Sequence, residues 1–325
     1  MASRISPVHP SVDRVLIVNN PRAGSRRRDD SVRDLVACLR GQGMRPEVVT
    51  DPAAIASMAG QYQARGQLRA VVAAGGDGTL TEIANRTEPG VPLTVFPLGT
   101  ANLLAGYLGI GSDPQAMAQM LCQGSLVRLD AARANGRIFL LMAGCGFDAD
   151  VVHRLHRQRS GRHISYWTWA RPILESIRRY RFPDLRVYCD TAADTPAGPM
   201  RSARWAFVVN LPVYAGGLRV APEAVGTDGM LNVCTFAGGS FWHGLRYVGC
   251  VLVGRQRSLS DYKSALALRV RIESDEPVPY QLDGDPGGVL PLEIDVLPAR
   301  LTLWAPRAQA LALGLPGVTG NQKGV

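Results

Sequence analysis

The stretch Ala70-Val71-Val72-Ala73-Ala74-Gly75-Gly76-Asp77-Gly78-Thr79 decides the fold. Its apolar first half predicts a buried strand, and its glycines predict a sharp turn into a helix over Leu80–Arg86. Glycines at such a turn let the backbone approach a phosphate group closely, and the helix presents free N–H groups at the positive end of its dipole. The stretch therefore predicts either a phosphate-binding turn or an ordinary turn in which Asp77 caps the helix.

Asp77 is the unexpected residue of this turn. A carboxylate would repel a bound phosphate group unless it binds Mg²⁺, a ribose hydroxyl group or the neighbouring backbone. The presence of Asp77 therefore indicates a specific role for this side chain rather than general anion binding.

Strand–turn–helix units lie on both sides of this stretch. The predicted pairs of strand and helix are Val15–Asn19 with Asp30–Gln42, Val48–Thr50 with Pro52–Arg65, and Val91–Phe96 with Ala101–Tyr107, followed by a helix at Pro114–Gln123. Such an alternation predicts an α/β domain that has a parallel sheet and right-handed crossovers. Ligands of these sheets bind beyond the carboxyl ends of the strands, where the glycine turns lie.

The pattern changes after residue 127 to short strands separated by glycines. These predicted strands are Arg137–Ala143, Leu185–Cys189, Ala203–Asn210, Met230–Phe236, Ala267–Glu273, Leu292–Val296 and Leu301–Trp304. Helical spacing is found only in a basic segment at residues 151–182 and at Gly239–Val253. We therefore predict an α/β domain over residues 1–127, a mainly β, sandwich-like domain over 128–306 and a tail over 307–325.

The composition is that of a globular protein, with 46% apolar and 19% charged residues. No stretch approaches the roughly 20 apolar residues that cross a bilayer, and the first residues lack the apolar core of a signal peptide, so we expect a cytoplasmic protein. The six cysteines lack zinc-like spacing and are expected to be reduced thiols. Lys263 and Lys323 are the only lysines, and neither follows a glycine-rich turn. A phosphate site must therefore use backbone N–H groups and arginine.

Most of the net charge of +9 lies in the basic segment. Residues 151–182 contain eight arginines, three histidines and one acidic residue, Glu175, and aromatic residues are interleaved with them. Such a surface can face anionic lipid headgroups, nucleic acid or water. The charge alone does not distinguish these partners, but the sequence contains no recognisable nucleic-acid-binding motif, so we expect no nucleic-acid partner.

Three motifs in the first half together resemble the catalytic domain of the diacylglycerol kinase and sphingosine kinase superfamily. They are Asn20-Pro21-Arg22-Ala23-Gly24, Gly75-Gly76-Asp77-Gly78-Thr79 and Pro97-Leu98-Gly99-Thr100-Ala101-Asn102. The second of these motifs, taken alone, also resembles NAD kinases and, more loosely, phosphofructokinases. The motifs of the second half therefore matter for the choice.

The second half resembles soluble bacterial diacylglycerol kinase-like lipid kinases, with its motifs in the same order. These motifs are Gly144–Ala149, Asn210 with Tyr214–Gly217, Ala221-Pro222, Asp228-Gly229 and Leu282–Asp285. The resemblance covers about residues 14–305. It implies an α/β nucleotide-binding domain, a β-rich domain and an active site in the cleft between them.

The resemblance also implies roles for individual residues. The residues implied to bind ATP are Asn20, Pro21, Arg22, Ala23, Gly24, Thr50, Gly75, Gly76, Asp77, Gly78, Thr79, Leu80, Thr81 and Thr100. Mg²⁺ is implied at Asp228 and the backbone carbonyls of Val225 and Met230, a chemically reasonable set of oxygen ligands. From the residues alone, the turn of a hairpin is the favoured interpretation of Asp228-Gly229.

Asp283 and Asp285 are the candidates for the base that accepts the proton of an alcohol. In extended backbone they would share one face, where mutual repulsion raises the pKa of one of them. The resemblance implies that Asp285 is the proton acceptor and that Asp283 supports it.

Two positions depart from the family pattern and leave the acceptor open: Leu103 stands where an Asp is common, and Asp285 replaces a Glu. The resemblance implies an ATP- and Mg²⁺-dependent kinase for the hydroxyl group of a diacylglycerol or related amphiphile. We expect such an enzyme to dock reversibly on anionic membranes through the basic segment. The alternatives are a kinase for a soluble acceptor such as NAD, and a catalytically weak regulator that binds lipid or nucleotide.

Overall fold

A computed structural model describes residues 12–19, 26–158, 180–191, 199–214, 218–315 and 317. Contacts divide the chain into two compact units, Met1–Leu129 with Ala299–Val325, and Asp130–Pro298. The first boundary lies two residues beyond the predicted boundary at 127. Residues 299–306, which we assigned to the second domain, belong to the first unit.

Parallel strands form the sheet of the first unit, in the order β2-β1-β3-β4-β16. The strands are β1 (Arg14–Val18), β2 (Arg45–Val49), β3 (Leu68–Gly75), β4 (Pro92–Pro97) and the last part of β16 (Leu292–Ala305). The helices are α1 (Arg26–Gly41), α2 (Ile55–Ala64), α3 (Asp77–Arg86), α4 (Leu103–Tyr107), α5 (Pro114–Gln123) and α8 (Arg307–Ala312), with a short 3₁₀ helix at Pro52–Ala54. All eight residues of β3 are buried, which explains its continuous apolar run. The predicted α/β domain with a parallel sheet is confirmed.

The second unit contains two antiparallel sheets. Its strands are β5 (Ser125–Ala134), β6 (Arg137–Phe139), β7 (Met142–Gly146), β8 (Leu185–Asp190), β9 (Pro199–Ala203), β10 (Trp205–Val209), β11 (Leu231–Phe236), β12 (Tyr262–Ala267), β13 (Arg269–Glu273), β14 (Pro279–Leu282), β15 (Asp285–Val289) and the first part of β16. One sheet has the order β12-β11-β10-β7-β14-β15, and the other contains β16-β13-β8-β9 together with β5 and β6. The described part of this unit also contains the helices α6 (Phe147–Gln158) and α7 (Phe241–Leu252) and a 3₁₀ turn at Gln256–Ser258.

The core of the second unit lies between these sheets. Ala206 and Val233 of one sheet belong to the same buried cluster as Val270 and Ile294 of the other. Two sheets that bury facing apolar side chains make a β-sandwich. The predicted sandwich-like domain is confirmed.

Two predicted strands, Leu292–Val296 and Leu301–Trp304, are parts of the single strand β16. Pro298 and Ala299 lie between them, and Ala299 has a left-handed φ of 50°. The chain nevertheless continues as a strand, because Thr302 and Leu303 pair with Pro92 and Leu93 of β4. This pairing is the reason why the last part of the strand belongs to the first unit.

Within the described residues, no helix is both long and apolar enough to cross a membrane. None of the six cysteines, all of which lie in the described part of the chain, forms a disulfide bond in this structure, and Cys145, Cys189 and Cys234 are buried.

Candidate functional site

The glycine turn after β3 lies close to the turn after β4. A Cβ atom added to Gly99 would lie 2.7 Å from the Cα atom of Gly76, so the two backbones approach each other without room for a side chain. Thr50 and Thr100 are exposed just beyond β2 and β4. Because the strands are parallel, these threonines and the Gly75–Thr79 turn all follow the carboxyl ends of their strands.

The remaining predicted ATP-binding residues fall into two groups. Residues 20–24 lie outside the described residues. Leu80 and Thr81 are buried in α3, so their side chains face the protein interior. A nucleotide at this edge of the sheet would therefore meet the backbone of the turn and the hydroxyl groups of the exposed threonines.

Asp77 binds the neighbouring backbone, one of the three roles that the sequence allowed. Its carboxylate accepts hydrogen bonds from the N–H groups of Leu103 (2.7 Å) and Leu104 (3.0 Å). Burial raises the pKa of Asp77, and these hydrogen bonds oppose the rise. Asp77 thus fixes the start of α4 against the start of α3, and position 103 takes part through its N–H group, which every residue except proline supplies.

Arg28 is a candidate phosphate ligand that the sequence interpretation missed. Its Nη2 atom donates a hydrogen bond to the carbonyl of Ala74 (2.7 Å), and it would lie 2.7 Å from a Cβ atom added to Gly75. Burial lowers the pKa of Arg28, but an arginine remains charged at neutral pH. The run Arg26-Arg27-Arg28 after the first predicted turn was the available signal.

Gly99→Ala is expected to weaken ATP binding by about tenfold or more. The added methyl group must push the two turns apart, and such overpacking typically costs about 1–3 kcal/mol. Calorimetric titration with ATP measures the loss. Gly106→Ala in α4 is the matched control, because a Cβ atom there has nothing within 4 Å and should leave ATP affinity unchanged. Equal affinities for both variants would show that this turn does not contact the nucleotide.

The hairpin between β14 and β15 separates the two candidate bases. Asp283 and Gly284 have φ angles of 52° and 86°, which are typical of a type I′ turn, so the shared face that extended backbone would give these two aspartates is absent. The Asp283 carboxylate accepts hydrogen bonds from the N–H groups of Leu140 (2.8 Å), Leu141 (2.8 Å) and Met142 (3.1 Å). Asp285 pairs with Leu282 across the hairpin, and among the described residues its carboxylate has no hydrogen-bond or ion-pair partner.

The loop around Asp228 fits the predicted magnesium site only in part. Asp228 is exposed, and its Oδ1 atom accepts a hydrogen bond from the N–H group of Met230 (2.9 Å). The Val225 carbonyl already accepts hydrogen bonds from Thr227 (2.7 Å) and Asp228 (3.3 Å), so it is not available as a ligand in this conformation. Within the described part of the chain, no group of three or more His, Cys, Asp or Glu side chains is placed to hold a metal. A cation here would rely on Asp228, the Met230 carbonyl and water.

The second unit also contains an apolar cavity of about 110 Å³. Its wall is built from α6, α7, the six-stranded sheet and the segment after β10. The lining residues are Phe147, Asp148, Val151, Val152, Trp205, Phe207, Tyr214, Leu218, Val220, Phe236, Tyr247, Val248 and Val251. Asp148 is the single ionisable carboxylate among them, so the cavity suits an apolar ligand with at most one polar end.

A hydrogen-bonded cluster holds Asp148 in the cavity wall. Asp148 accepts hydrogen bonds from the Tyr214 hydroxyl group (2.7 Å) and from Nε2 of the fully buried Gln281 (2.9 Å). The Oε1 atom of Gln281 accepts a hydrogen bond from the Gly284 N–H group (2.7 Å). One amide therefore joins the cavity to the hairpin that carries Asp285. The sequence interpretation gave this cluster no role, because its members come from three distant segments.

Asp148 is expected to make the protein less stable as the pH rises from about 4 to about 6. Burial raises its pKa to about 6, while an unfolded chain restores a value near 3.9. Between about pH 4 and pH 6 the folded state holds a proton that the unfolded state has lost. The stabilisation from the protonated Asp148 is therefore complete below pH 4 and is lost above pH 6. The difference between the two pKa values corresponds to at most about 3 kcal/mol of unfolding free energy. The measured change should be smaller, because part of the side chain faces the cavity.

Unfolding by urea at pH 4.5 and 6.5 measures this effect. Asp148→Asn should remove the part of the difference in unfolding free energy between the two pH values that is due to Asp148. Asp275→Asn, which changes an exposed carboxylate, serves as the control. The assignment fails if wild type and Asp148→Asn have the same pH dependence.

Two domain families match the amino-acid sequence of the chain. The diacylglycerol kinase catalytic domain matches residues 14–134, and the YegS C-terminal NAD kinase beta sandwich-like domain matches residues 142–305. Together they cover both units of the structure. The chain therefore belongs to the family that combines a diacylglycerol kinase catalytic domain with a YegS-type C-terminal domain.

Bacterial relatives match along most of the chain. A diacylglycerol kinase of Bacillus subtilis is 25% identical over 91% of this chain and 98% of that protein. A probable lipid kinase YegS-like of Pseudomonas aeruginosa is 27% identical, over 92% of this chain and 96% of that protein. An uncharacterized protein of Synechocystis is 25% identical over 73% of this chain, which spans only 54% of that longer relative.

Solved structures share the fold. A diacylglycerol kinase of Bacillus anthracis has a TM-score of 0.64 at 19% identity, covering 91% of this chain and 98% of that one. An NAD kinase of Archaeoglobus fulgidus in complex with ATP has a TM-score of 0.51 at 12% identity, covering 93% of this chain and 97% of that one. The fold is thus that of diacylglycerol kinase-like proteins and is related to that of NAD kinase.

Proposed function

We propose that the protein transfers the γ-phosphate of ATP to the hydroxyl group of a diacylglycerol-like lipid. The observation that carries this proposal is the apolar cavity, whose aliphatic and aromatic lining suits part of a lipid chain better than a charged nucleotide such as NAD. The polar end of the cavity is joined through Gln281 to the hairpin of Asp285. The family membership supports kinase chemistry, and the cavity supports an apolar acceptor.

In the proposed reaction the acceptor hydroxyl oxygen forms a bond to the γ-phosphorus. The bond from that phosphorus to the β–γ bridging oxygen breaks, and ADP leaves. Asp285 takes the hydroxyl proton, since its carboxylate has no partner among the described residues. Asp283 cannot leave its three backbone N–H groups without cost, so it supports the hairpin and does not take the proton.

The nucleotide is proposed to bind at the turns of the first unit. The backbone N–H groups at the start of α3 and the guanidinium group of Arg28 would stabilise its phosphate groups. Arg28 would supply the charge that a lysine supplies in other nucleotide sites. A Mg²⁺ ion, for which Asp228 and the Met230 carbonyl are the proposed ligands, would neutralise negative charge on the phosphate groups.

Turnover of candidate acceptors tests the proposed function. Purified protein is incubated with labelled ATP and a diacylglycerol, sphingosine, ceramide, phosphatidylglycerol or NAD. We expect phosphorylation of a lipid and none of NAD. Labelled NADP would establish the soluble-acceptor alternative, and nucleotide binding without turnover of any acceptor would favour the regulator.

Asp228 is proposed to bind a Mg²⁺ ion beyond the one that ATP carries. Asp228→Ala should then raise the Mg²⁺ concentration for half-maximal rate several-fold at saturating ATP, because one carboxylate ligand is lost. The free energy of unfolding should change by no more than about 1 kcal/mol, since Asp228 is exposed. Asp190→Ala, which changes another carboxylate of this unit, is the control. An unchanged Mg²⁺ dependence would leave Asp228 as a turn residue.

Docking on anionic membranes through the basic segment 151–182 also remains a proposal. Residues 159–179 lie outside the described residues. In the described part, Arg154 pairs with Asp150 (2.6 Å) and Arg157 donates a hydrogen bond to the His153 carbonyl (3.3 Å). The vesicle experiment in the next section includes a variant of this segment.

A further inference from the structure

Helix α7 has two apolar faces. One face lines the cavity with Tyr247, Val248 and Val251. The other is exposed: Trp242 is 73% exposed, and Leu252 and Val253 are 64% and 68% exposed. An ordinary surface helix is polar on the side that faces water. The exposed apolar side chains on the outer face of α7 therefore indicate an interaction surface.

The exposed side chains form one stripe. Trp242, Leu245 and Leu252 recur at helical spacing, and a Cβ atom added to Gly249 between them would have nothing within 4 Å. Among the described residues, nine large apolar side chains are exposed, and four of them belong to α7 and the residue that follows it. The other five are distributed over β2, the segment before β11, β12, β15 and α8. Only α7 gathers them into a patch within the described structure.

The helix and its flanks carry mainly positive charge. Asp261 lies just beyond them and accepts a hydrogen bond from the Tyr247 hydroxyl group. Residues 237–260 contain Arg246, Arg255 and Arg257 and no acidic residue. All three arginines are exposed, and Arg257 pairs with Glu223 (2.6 Å) at the side of the helix. An apolar stripe with a tryptophan and flanking arginines is the pattern of a helix that lies in the interface of an anionic bilayer.

We propose that the outer face of α7 is a membrane-docking surface that inserts Trp242, Leu252 and Val253 among the headgroups of an anionic bilayer. Arg246 and Arg255 contact the lipid phosphate groups. Because the inner face of the same helix lines the cavity, docking places one cavity wall next to the lipid phase. The choice of a lipid surface fits the proposed function, but the binding itself does not depend on catalysis.

Co-sedimentation with vesicles tests the docking surface. The vesicles contain phosphatidylglycerol, or phosphatidylcholine alone as the neutral comparison. The variant Trp242→Gln/Leu252→Gln should bind phosphatidylglycerol vesicles at least about tenfold more weakly than wild type, because two apolar side chains no longer leave water. The matched control, Val289→Gln/Leu311→Gln, changes two side chains that are 52% and 74% exposed elsewhere and should bind within about twofold of wild type.

A second variant separates α7 from the basic segment. Arg154→Glu/Arg157→Glu/Arg159→Glu should reduce binding mainly at low salt, whereas the α7 variant should reduce it at high salt as well. Equal vesicle binding by wild type and the α7 variant would overturn the proposal. The proposal would also be overturned if wild type formed a dimer, the α7 variant were a monomer, and both bound vesicles equally. The outer face of α7 would then contact a second copy of the chain.

Activity on detergent-dispersed diacylglycerol distinguishes this inference from the proposed function. The α7 variant should keep activity on the dispersed lipid while it loses vesicle binding. If wild type phosphorylates no lipid but binds vesicles through α7, the proposed function fails and the docking surface stands.

Discussion

Asp285→Asn is expected to lower the rate of phosphoryl transfer by about 10²–10⁴-fold, the usual contribution of a general base. An amide cannot accept the hydroxyl proton, whereas the fold should persist, because the Asp285 carboxylate makes no hydrogen bond or ion pair within the described structure. Affinity for ATP should remain unchanged, since the glycine turns belong to the first unit. Single-turnover rates with labelled ATP, combined with calorimetric titration, measure the two quantities separately.

Asp275→Asn is the control for this variant, because Asp275 is an exposed carboxylate of the same unit that pairs with Arg186. It should leave the rate unchanged. If Asp285→Asn remains fully active while a folded Asp283→Asn loses turnover but still binds ATP, the base is Asp283. If both variants remain active, neither aspartate is the base.

Asp283→Ala is expected to lower the free energy of unfolding by about 3–9 kcal/mol. The substitution leaves three buried N–H groups, those of residues 140–142, without their acceptor, at roughly 1–3 kcal/mol each. It also places alanine at a left-handed φ of 52°, which adds to the loss. Urea unfolding monitored by tryptophan fluorescence measures the change.

Asp275→Ala again provides the comparison. Asp275 accepts two hydrogen bonds from Arg186, at 2.8 and 2.9 Å, but its side chain is 86% exposed, so the loss of stability should be far smaller than that of Asp283→Ala. Similar stability losses in the two variants would show that the Asp283 carboxylate does not hold the segment before β7.

The sequence predicted the first unit well because its signals are local. Helix α5 has the predicted bounds, since Asp113 caps it through Gln115 and Ala116 and Pro114 occupies its first turn. By contrast, β15 begins Asp285-Pro286-Gly287-Gly288, a composition typical of a turn. It becomes a strand by pairing with β14, a tertiary interaction that no local pattern contains.

The site shows the same division between local and tertiary information. The glycine turns and the aspartates of the Asp-Gly pairs could be found by residue type and position after strands. The contact of Asp77 with the start of α4 joins residues 26 and 27 positions apart, and the pairing of Asp283 with Leu141 joins residues 142 apart. Which carboxylates are saturated by backbone N–H groups is a property of the folded chain alone, and it separates Asp283 from Asp285.

The amide of Gln281 has a consequence for communication within the second unit. Its Nε2 atom donates a hydrogen bond to Asp148 in the cavity wall, and its Oε1 atom accepts one from Gly284 in the hairpin. A 180° rotation of the amide would point Nε2 at the N–H group of Gly284 and Oε1 at the carboxylate of Asp148. Neither pair could form a hydrogen bond, so the orientation of the amide is fixed. If binding in the cavity displaces Asp148 and thereby weakens the hydrogen bond to Gly284, linkage requires that binding at the hairpin change the affinity of the cavity by the same factor. The cavity wall and the hairpin are thus connected through a single side-chain amide.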